Sequence, residues 1–169
     1  MSKAVFIIAQ NNFRDEELLE PKRILADRGI VTKIAAKTKN KATGKLGTEI
    51  EPDLAVPEIK VKDFDAIIFV GGPGAVQYFN DQDVFKLVKE FKEAGKILAA
   101  ICIAPSILAN AGMLISKTVT AFPSEEENLK NKGAEYTGMP VEVDGNIVTA
   151  KDPGAAKEFG ERLAYLLEE

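Results

Sequence analysis

Short apolar runs alternate with helical periods along this chain, and this alternation constrains its fold more than any other feature. The runs are almost continuously apolar, which is typical of strands buried on both faces of a sheet. They occupy residues 4–9, 66–70 and 97–101, and a further strand is predicted at 31–36. Because helical segments separate them, the order predicts an α/β fold with a mostly parallel sheet and helices on both faces.

The helical segments have recognisable starts and ends. The first, Asp15–Arg28, carries Leu18, Leu19, Ile24 and Leu25 at helical spacing and ends at Gly29. Further helices are predicted at 83–94, 104–111, 125–132 and from Asp152-Pro153-Gly154 to about Leu167.

The remaining segments are shorter. A strand is predicted at 118–121, and Asp144-Gly145-Asn146 predicts a hairpin between 141–143 and 147–150. The polar stretch Lys37–Gly47 is predicted to be an exposed loop, and the two prolines in 47–61 allow only short strands there.

Composition narrows the function classes. The 169 residues suit a single domain, 1–169, and a net charge of -4 argues against nucleic-acid or anionic-membrane partners. No apolar run is long enough to span a membrane, and one cysteine allows no intrachain disulfide, so a cytoplasmic location is expected. Histidine is absent, which excludes Ser-His-Asp and Cys-His catalytic groups and makes a zinc site unexpected. We therefore expect no metal and no cofactor.

The one cysteine, Cys102, lies where the strand at 97–101 gives way to the helix at 104–111. A sharp strand-to-helix turn of this kind is a nucleophile elbow, and the small residues Ala100 and Ala104 leave room for it. A thiol at a helix N-terminus is predicted to have a lowered pKa. The alternative is a cysteine that only packs in the core.

Two further loops fall at the carboxyl ends of the predicted strands, where ligands bind in parallel sheets. In the loop at 10–17, Glu17 precedes two leucines, which favours an inward-facing carboxyl with a raised pKa; the alternative is an acidic residue that suits the helix dipole. In the loop at 71–76, Gly71 and Gly72 let backbone N–H groups approach a substrate oxygen, or simply form a tight turn.

Four segments together resemble the ThiJ/PfpI superfamily over nearly the whole chain. They are F-R-D-E-E-L-L-E-P, A-I-I-F-V-G-G-P-G, K-I-L-A-A-I-C-I-A-P and V-D-G-N-I-V-T-A-K-D-P-G-A-A-K-E-F. The resemblance is nearer to the deglycase branch than to the PfpI protease branch. It implies a flavodoxin-like three-layer sandwich, with a homodimer or higher homo-oligomer as the expected assembly.

The same resemblance implies roles for individual residues. Cys102 takes the place of the reactive cysteine and Glu17 that of the acid bonded to it, while Gly72 and the N–H of Ile103 fall at the oxyanion positions. Gly71, Phe122, Asp152 and Pro153 are expected around the pocket. Asp152 is either a second carboxylate at the site or, as the favoured alternative, a helix cap.

The chain departs from the family where histidines are expected. Ile103 follows the cysteine, and Phe122 occupies the histidine position of the Thr-His-Pro segment. A protease triad is therefore excluded. We prefer a Cys–Glu site that acts on small reactive carbonyls or their thiol or amine adducts in stress protection. The alternatives are a redox-sensing or chaperone-like protein that responds through cysteine oxidation, and a binding module that has lost its chemistry.

Overall fold

The computed structural model describes residues 1–168 and centres on a β-sheet of seven strands. The strands are β1 (Lys3–Ile7), β2 (Asn11–Phe13), β3 (Val31–Ala36), β4 (Ala42–Gly44), β5 (Glu49–Ile50), β6 (Leu54–Ala55), β7 (Ala66–Phe69), β8 (Ile97–Ile101), β9 (Thr118–Val119), β10 (Glu135–Tyr136), β11 (Val141–Asp144) and β12 (Ile147–Ala150). The α-helices are α1 (Asp15–Asp27), α2 (Gln82–Glu93), α3 (Pro105–Asn110), α4 (Glu126–Asn131) and α5 (Ala156–Leu167).

The large sheet is parallel except at one edge. Its order is β11-β12-β8-β7-β1-β3-β6, and only the β11–β12 hairpin is antiparallel. In the centre, Phe6 of β1 is paired with Ile34 on one side and Ile68 on the other. Two small sheets, β2-β4-β5 and β9-β10, flank this one. The predicted α/β class and the mostly parallel sheet are confirmed.

Side chains alternate across the central strands and divide the core into two layers. Phe6 packs in the core that includes Leu18 of α1 and Phe159 of α5. Val5, its neighbour in β1, packs on the opposite face in the core that includes Val88 of α2 and Ile107 of α3. Helices therefore cover both faces, as the alternating sequence pattern predicts.

A small residue lets the two helices of one face approach closely. A Cβ atom at Gly160 of α5 would lie 2.9 Å from the Cα atom of Pro21 in α1. α1, the helix that carries Glu17, therefore packs closely against α5.

The prediction of an exposed loop over 37–47 is wrong at residues 42–44. These residues form β4, in which Ala42 and Gly44 are buried. The chain after β4 is anchored by Asp15, whose carboxylate accepts hydrogen bonds from the N–H groups of Leu46 (2.8 Å) and Thr48 (2.9 Å). The polar composition of the stretch does not reveal this distant anchor.

Two helix details also differ from expectation. Leu19 was predicted on the apolar face of the first helix, but its side chain is exposed, because it follows Leu18 and turns away from the sheet. The last helix begins with a short 3-10 segment, Pro153–Ala155, before α5. Within residues 1–168, no helix combines the length and apolar character needed to cross a membrane.

Candidate active site

Cys102 lies on a sharp turn between β8 and α3. Its φ of 66° is in the left-handed region, which is rare for a residue with a side chain and is often found at functional sites. Two backbone hydrogen bonds hold the turn: the Cys102 N–H donates to Ala150 O (2.9 Å), and Cys102 O accepts from the Phe122 N–H (2.8 Å). The strand-to-helix elbow is therefore present, and the residue is only 8% exposed.

Glu17 lies in the first turn of α1, and its side chain faces Cys102. Its side chain is fully buried, and neither carboxyl oxygen makes a hydrogen bond of standard geometry to any residue in 1–168. Burial raises the pKa of the Glu17 carboxyl from its ordinary value to about 8, although the Cys102 thiol and the Gly71 N–H lie close enough to lower it in part. Glu17 is therefore protonated at neutral pH and can donate or accept a proton.

Two glycines make this approach possible. A Cβ atom at Gly71 would lie 2.5 Å from Glu17 Oε1 and 2.7 Å from Cys102 Cβ, so no side chain fits there. Gly72 has a φ of 98°, and a Cβ at Gly72 would overlap the backbone nitrogen of Arg14. The Gly-Gly pair thus brings the loops at 10–17 and 71–76 together against the cysteine.

The predicted lowering of the thiol pKa does not hold. Burial raises the pKa of the Cys102 thiol, and the charge of an ionised Glu17 raises it further, while hydrogen bonds from the Gly72 and Ile103 N–H groups lower it in part. The helix behind the thiol, α3, has only six residues, so its dipole is a weak counterweight. Since Glu17 keeps its proton up to about pH 8, its charge is absent at neutral pH.

The N–H groups of Gly72 and Ile103 both face the Cys102 sulfur and favour negative charge there. They are placed to stabilise an anion on the sulfur or on an oxygen bonded to a carbon that the sulfur attacks. The structure thus brings together five of the residues singled out in the sequence: Cys102, Glu17, Gly71, Gly72 and Ile103.

The other predicted pocket residues are placed differently. Phe122 lies beside the elbow through its backbone bond to Cys102, and it is 40% exposed. Asp152 caps the last helical segment by accepting from the Ala155 N–H (3.1 Å), with Pro153 as the first helical residue. The alternative of a helix cap is therefore the one observed for Asp152.

Sequence reasoning missed Arg14, which directly precedes α1. Its N–H donates to Gly71 O (2.9 Å), and its positive charge offsets a part of the rise that burial causes in the pKa of Glu17. The Arg14 guanidinium forms a two-pronged pair with Glu16, from Nε to Oε1 and from Nη2 to Oε2, each at 2.9 Å. In a chain with no histidine, a cation inside the quoted motif F-R-D-E-E-L was the available signal.

Metal ligands do not cluster in the structure: residues 1–168 contain no group of three or more His, Cys, Asp or Glu side chains suited to hold an ion.

Comparison with known proteins agrees with the fold. A protein of unassigned function from Methanocaldococcus jannaschii is 38% identical over 99% of this chain and 83% of its own length. A Thermococcus kodakarensis protein named deglycase is 33% identical over 89% of this chain and 90% of its own length. The crystal structure of a ThiJ/PfpI domain protein from Brachyspira murdochii superposes with a TM-score of 0.95 at 34% identity, covering 98% of this chain and 95% of the other.

A sequence model of the DJ-1/PfpI family matches residues 2–166. With the relatives above, this match extends over nearly all of the sequence, so the chain belongs to the DJ-1/PfpI family.

Proposed function

We propose that the Cys102–Glu17 site acts on small reactive carbonyl compounds or on their thiol and amine adducts, as a glyoxalase- or deglycase-like enzyme. The observation that carries the proposal is the fully buried Glu17 carboxyl facing the cysteine on its elbow. Family membership supports it, since relatives such as the Thermococcus kodakarensis protein bear the name deglycase. Protection of the cell against carbonyl stress is the biological role that we infer.

The proposed reaction begins with addition of the Cys102 sulfur to an aldehyde carbon. A sulfur–carbon bond forms, the carbonyl π bond breaks, and the thiol proton ends on the former carbonyl oxygen. The Gly72 and Ile103 N–H groups stabilise that oxygen while it carries negative charge. No histidine is available in the chain, so Glu17 moves the protons.

With methylglyoxal, the later steps convert the adduct to a hydroxy acid. A proton moves from the carbon bonded to sulfur to the neighbouring carbon through an enediol, which leaves a thioester. Water then cleaves the thioester and releases lactate and the thiol. The sum is methylglyoxal plus one water to lactate, so no external oxidant or reductant is needed.

The test is dicarbonyl turnover by wild type, Cys102→Ser and Glu17→Gln, with loss of methylglyoxal and formation of lactate both measured. We expect lactate formation by wild type and loss of at least about a hundredfold in each variant, the scale of general acid–base contributions. Glu16→Gln, which changes the neighbouring and partly exposed carboxyl, is the matched control. Absence of turnover by wild type on dicarbonyls and on glycated thiols alike would refute the proposal.

A redox-sensing role is the second candidate, and the protonated Glu17 specifically favours it. A neutral carboxylic acid beside the thiol can donate a hydrogen bond to the oxygens of a cysteine sulfinate and hold that oxidation state. Mass spectrometry after graded peroxide treatment tests this role. We expect sulfinate to accumulate at Cys102 in wild type and over-oxidation to sulfonate in Glu17→Ala, and equal product patterns would contradict it.

A further inference from the structure

Arg14 is built into the wall of the site. Its backbone N–H donates to Gly71 O at 2.9 Å, and its nitrogen is packed so closely against Gly72 that no Cβ fits between them. Gly72 is the residue whose N–H faces the Cys102 sulfur. The backbone from which the Arg14 side chain projects therefore packs against Gly72, the residue that carries one of the oxyanion N–H groups.

The guanidinium is held in place and is still reachable. Its Nε and Nη2 atoms donate to the two oxygens of Glu16, and this planar two-pronged contact fixes its orientation. A guanidinium has five N–H groups, and in residues 1–168 the Nη1 atom donates to no acceptor. The side chain is 29% exposed, so solvent reaches a part of it.

The charges around the cysteine favour an anionic ligand on this edge. Glu17 is protonated at neutral pH and so adds no negative charge to the site. The hydrogen bond to Glu16 is the main reason that the pKa of Arg14 is raised, and the carboxyl of Glu17 and the thiol of Cys102 would add to it only in their ionised forms. Glu16 is 41% exposed, and it offsets the charge of Arg14 without occupying Nη1.

We propose that Arg14 is a specificity-determining residue that binds the carboxylate of small 2-oxo acids, such as glyoxylate, while Cys102 adds to the adjacent carbonyl carbon. This proposal rests on the proposed carbonyl chemistry and names a substrate class for it. In the addition, the sulfur–carbon bond forms, the carbonyl π bond breaks, and the thiol proton moves to the carbonyl oxygen. The hemithioacetal that results keeps its carboxylate on the Arg14 guanidinium, and no oxidant or reductant is consumed.

The test compares two alkylating reagents that share a reacting carbon and leaving group and differ in charge. Iodoacetate carries a carboxylate, and iodoacetamide is neutral; in both, the Cys102 sulfur displaces iodide. The measured quantity is the rate constant for iodoacetate divided by that for iodoacetamide at pH 7, and it is compared with the same ratio for glutathione. We expect Arg14→Gln to lower this ratio about tenfold, the scale of one charge-assisted hydrogen bond.

Two control variants separate binding from general effects. Arg23→Gln removes the same charge from a more exposed position within α1, where Arg23 contacts Glu20 and Asp27, and it should leave the ratio unchanged. Glu16→Gln breaks the pair but keeps the cation, so it should keep or raise the ratio. Arg14→Lys keeps the charge without the planar edge and should give an intermediate ratio.

Failure of this proposal is distinguishable from failure of the proposed function, because alkylation requires no turnover. An unchanged ratio in Arg14→Gln, or an equal fall in Arg23→Gln, would overturn the role of Arg14. Protection of Cys102 from iodoacetamide by glyoxylate in wild type, about tenfold weaker in Arg14→Gln, would support it even if no carbonyl compound is turned over. Equal protection in both proteins would contradict it.

Discussion

The carboxyl of Glu17 and the side chain of Cys102 both pack against the backbone of Gly71, so closely that Gly71 has no room for one additional carbon atom. A Cβ atom placed at Gly71 would be 2.5 Å from Glu17 Oε1 and 2.7 Å from Cys102 Cβ. The thiol and the acid therefore meet only because the loop between β7 and α2 contributes a backbone without a side chain.

Gly71→Ala is expected to separate this pair. The added methyl group must displace Glu17, Cys102 or the carbonyl of Ile101, and overpacking of this kind costs about 1–3 kcal/mol of unfolding free energy. Urea unfolding measures that cost. Gly154→Ala is the control, because Gly154, like Gly71, has no positive φ, and an added Cβ there meets only the Asp152 carboxylate, at 3.2 Å. Equal losses in the two variants would show that the loss of a glycine, rather than the crowded site, explains the effect.

Glu17→Gln should stabilise the protein increasingly as pH rises. In the unfolded chain Glu17 ionises near its ordinary value of 4.5, while the folded pKa is about 8. Folding therefore takes up a proton between these values, and the stability that wild type has below pH 4.5 is lost as pH rises to about 8. At about 1.4 kcal/mol for each pKa unit, the variant should gain roughly 4–5 kcal/mol over wild type across this window.

The measurement is urea unfolding of both proteins at about pH 4.5, 6, 7 and 8.5, values that cover the range in which folding binds the proton. Glu16→Gln is the control. Its effect on stability should change with pH in the opposite direction, since the hydrogen bond from Arg14 lowers the pKa of Glu16. A difference between Glu17→Gln and wild type that does not change with pH would mean that Glu17 is ionised in the folded protein.

A buried polar cluster behind the elbow supports the same site. Ser106, fully buried in the first turn of α3, donates to Glu125 Oε1 (2.7 Å) and accepts from Asn128 Nδ2 (3.1 Å). Ser106→Ala leaves both partners without this hydroxyl and should cost about 1–3 kcal/mol in urea unfolding. The control is Ser124→Ala, because the exposed Ser124 donates to the other oxygen of the same Glu125 carboxylate at 2.7 Å. A loss in Ser124→Ala as large as that in Ser106→Ala would contradict a role for burial.

The strands of the large sheet were predictable because their signal is local. Residues 31–36 and 97–101 form β3 and β8 with the predicted bounds. The apolar run at 97–101 is buried along its whole length, as expected of a strand in a sheet covered on both faces, whereas in β3 only residues 34–36 are buried. The elbow was predictable for the same reason, as the small residues and the change of period are adjacent in the chain.

The electrostatics of the site were less predictable because they depend on contacts between distant segments. The position of Cys102 before a helix indicated a lowered thiol pKa, but burial and the approach of Glu17 from another loop raise it. The sequence signal for Arg14 was only its charge within the motif F-R-D-E-E-L; its position matters because the 71–72 backbone packs against it. Local sequence thus predicts which residues form the site more readily than it predicts their protonation.

Asp15 organises the loop that sequence reasoning left without structure, and Asp15→Asn should release it. The buried carboxylate accepts from the Leu46 and Thr48 N–H groups, and Gly44 leaves no room for a Cβ beside it. Burial alone would raise the pKa of Asp15, but the hydrogen bonds from Thr48 and Leu46 outweigh it and hold the pKa below its ordinary value. The stability contributed by Asp15 is therefore present above its unfolded pKa of 3.8 and lost as pH falls through the folded value.

Hydrogen exchange of the Leu46 and Thr48 amides measures this anchor directly. In Asp15→Asn the amide nitrogen of the new side chain faces a backbone donor, so at least one of the two bonds is lost. A hydrogen bond to a charged group contributes about 1.5–3 kcal/mol, so exchange at neutral pH should accelerate by about tenfold or more. Asp27→Asn, an exposed carboxyl at the other end of α1, should leave both amides unchanged. Unaltered protection of Leu46 and Thr48 in Asp15→Asn would mean that β4 and β5 hold this loop without the carboxylate, because the Thr43–Glu49 pairing would then suffice.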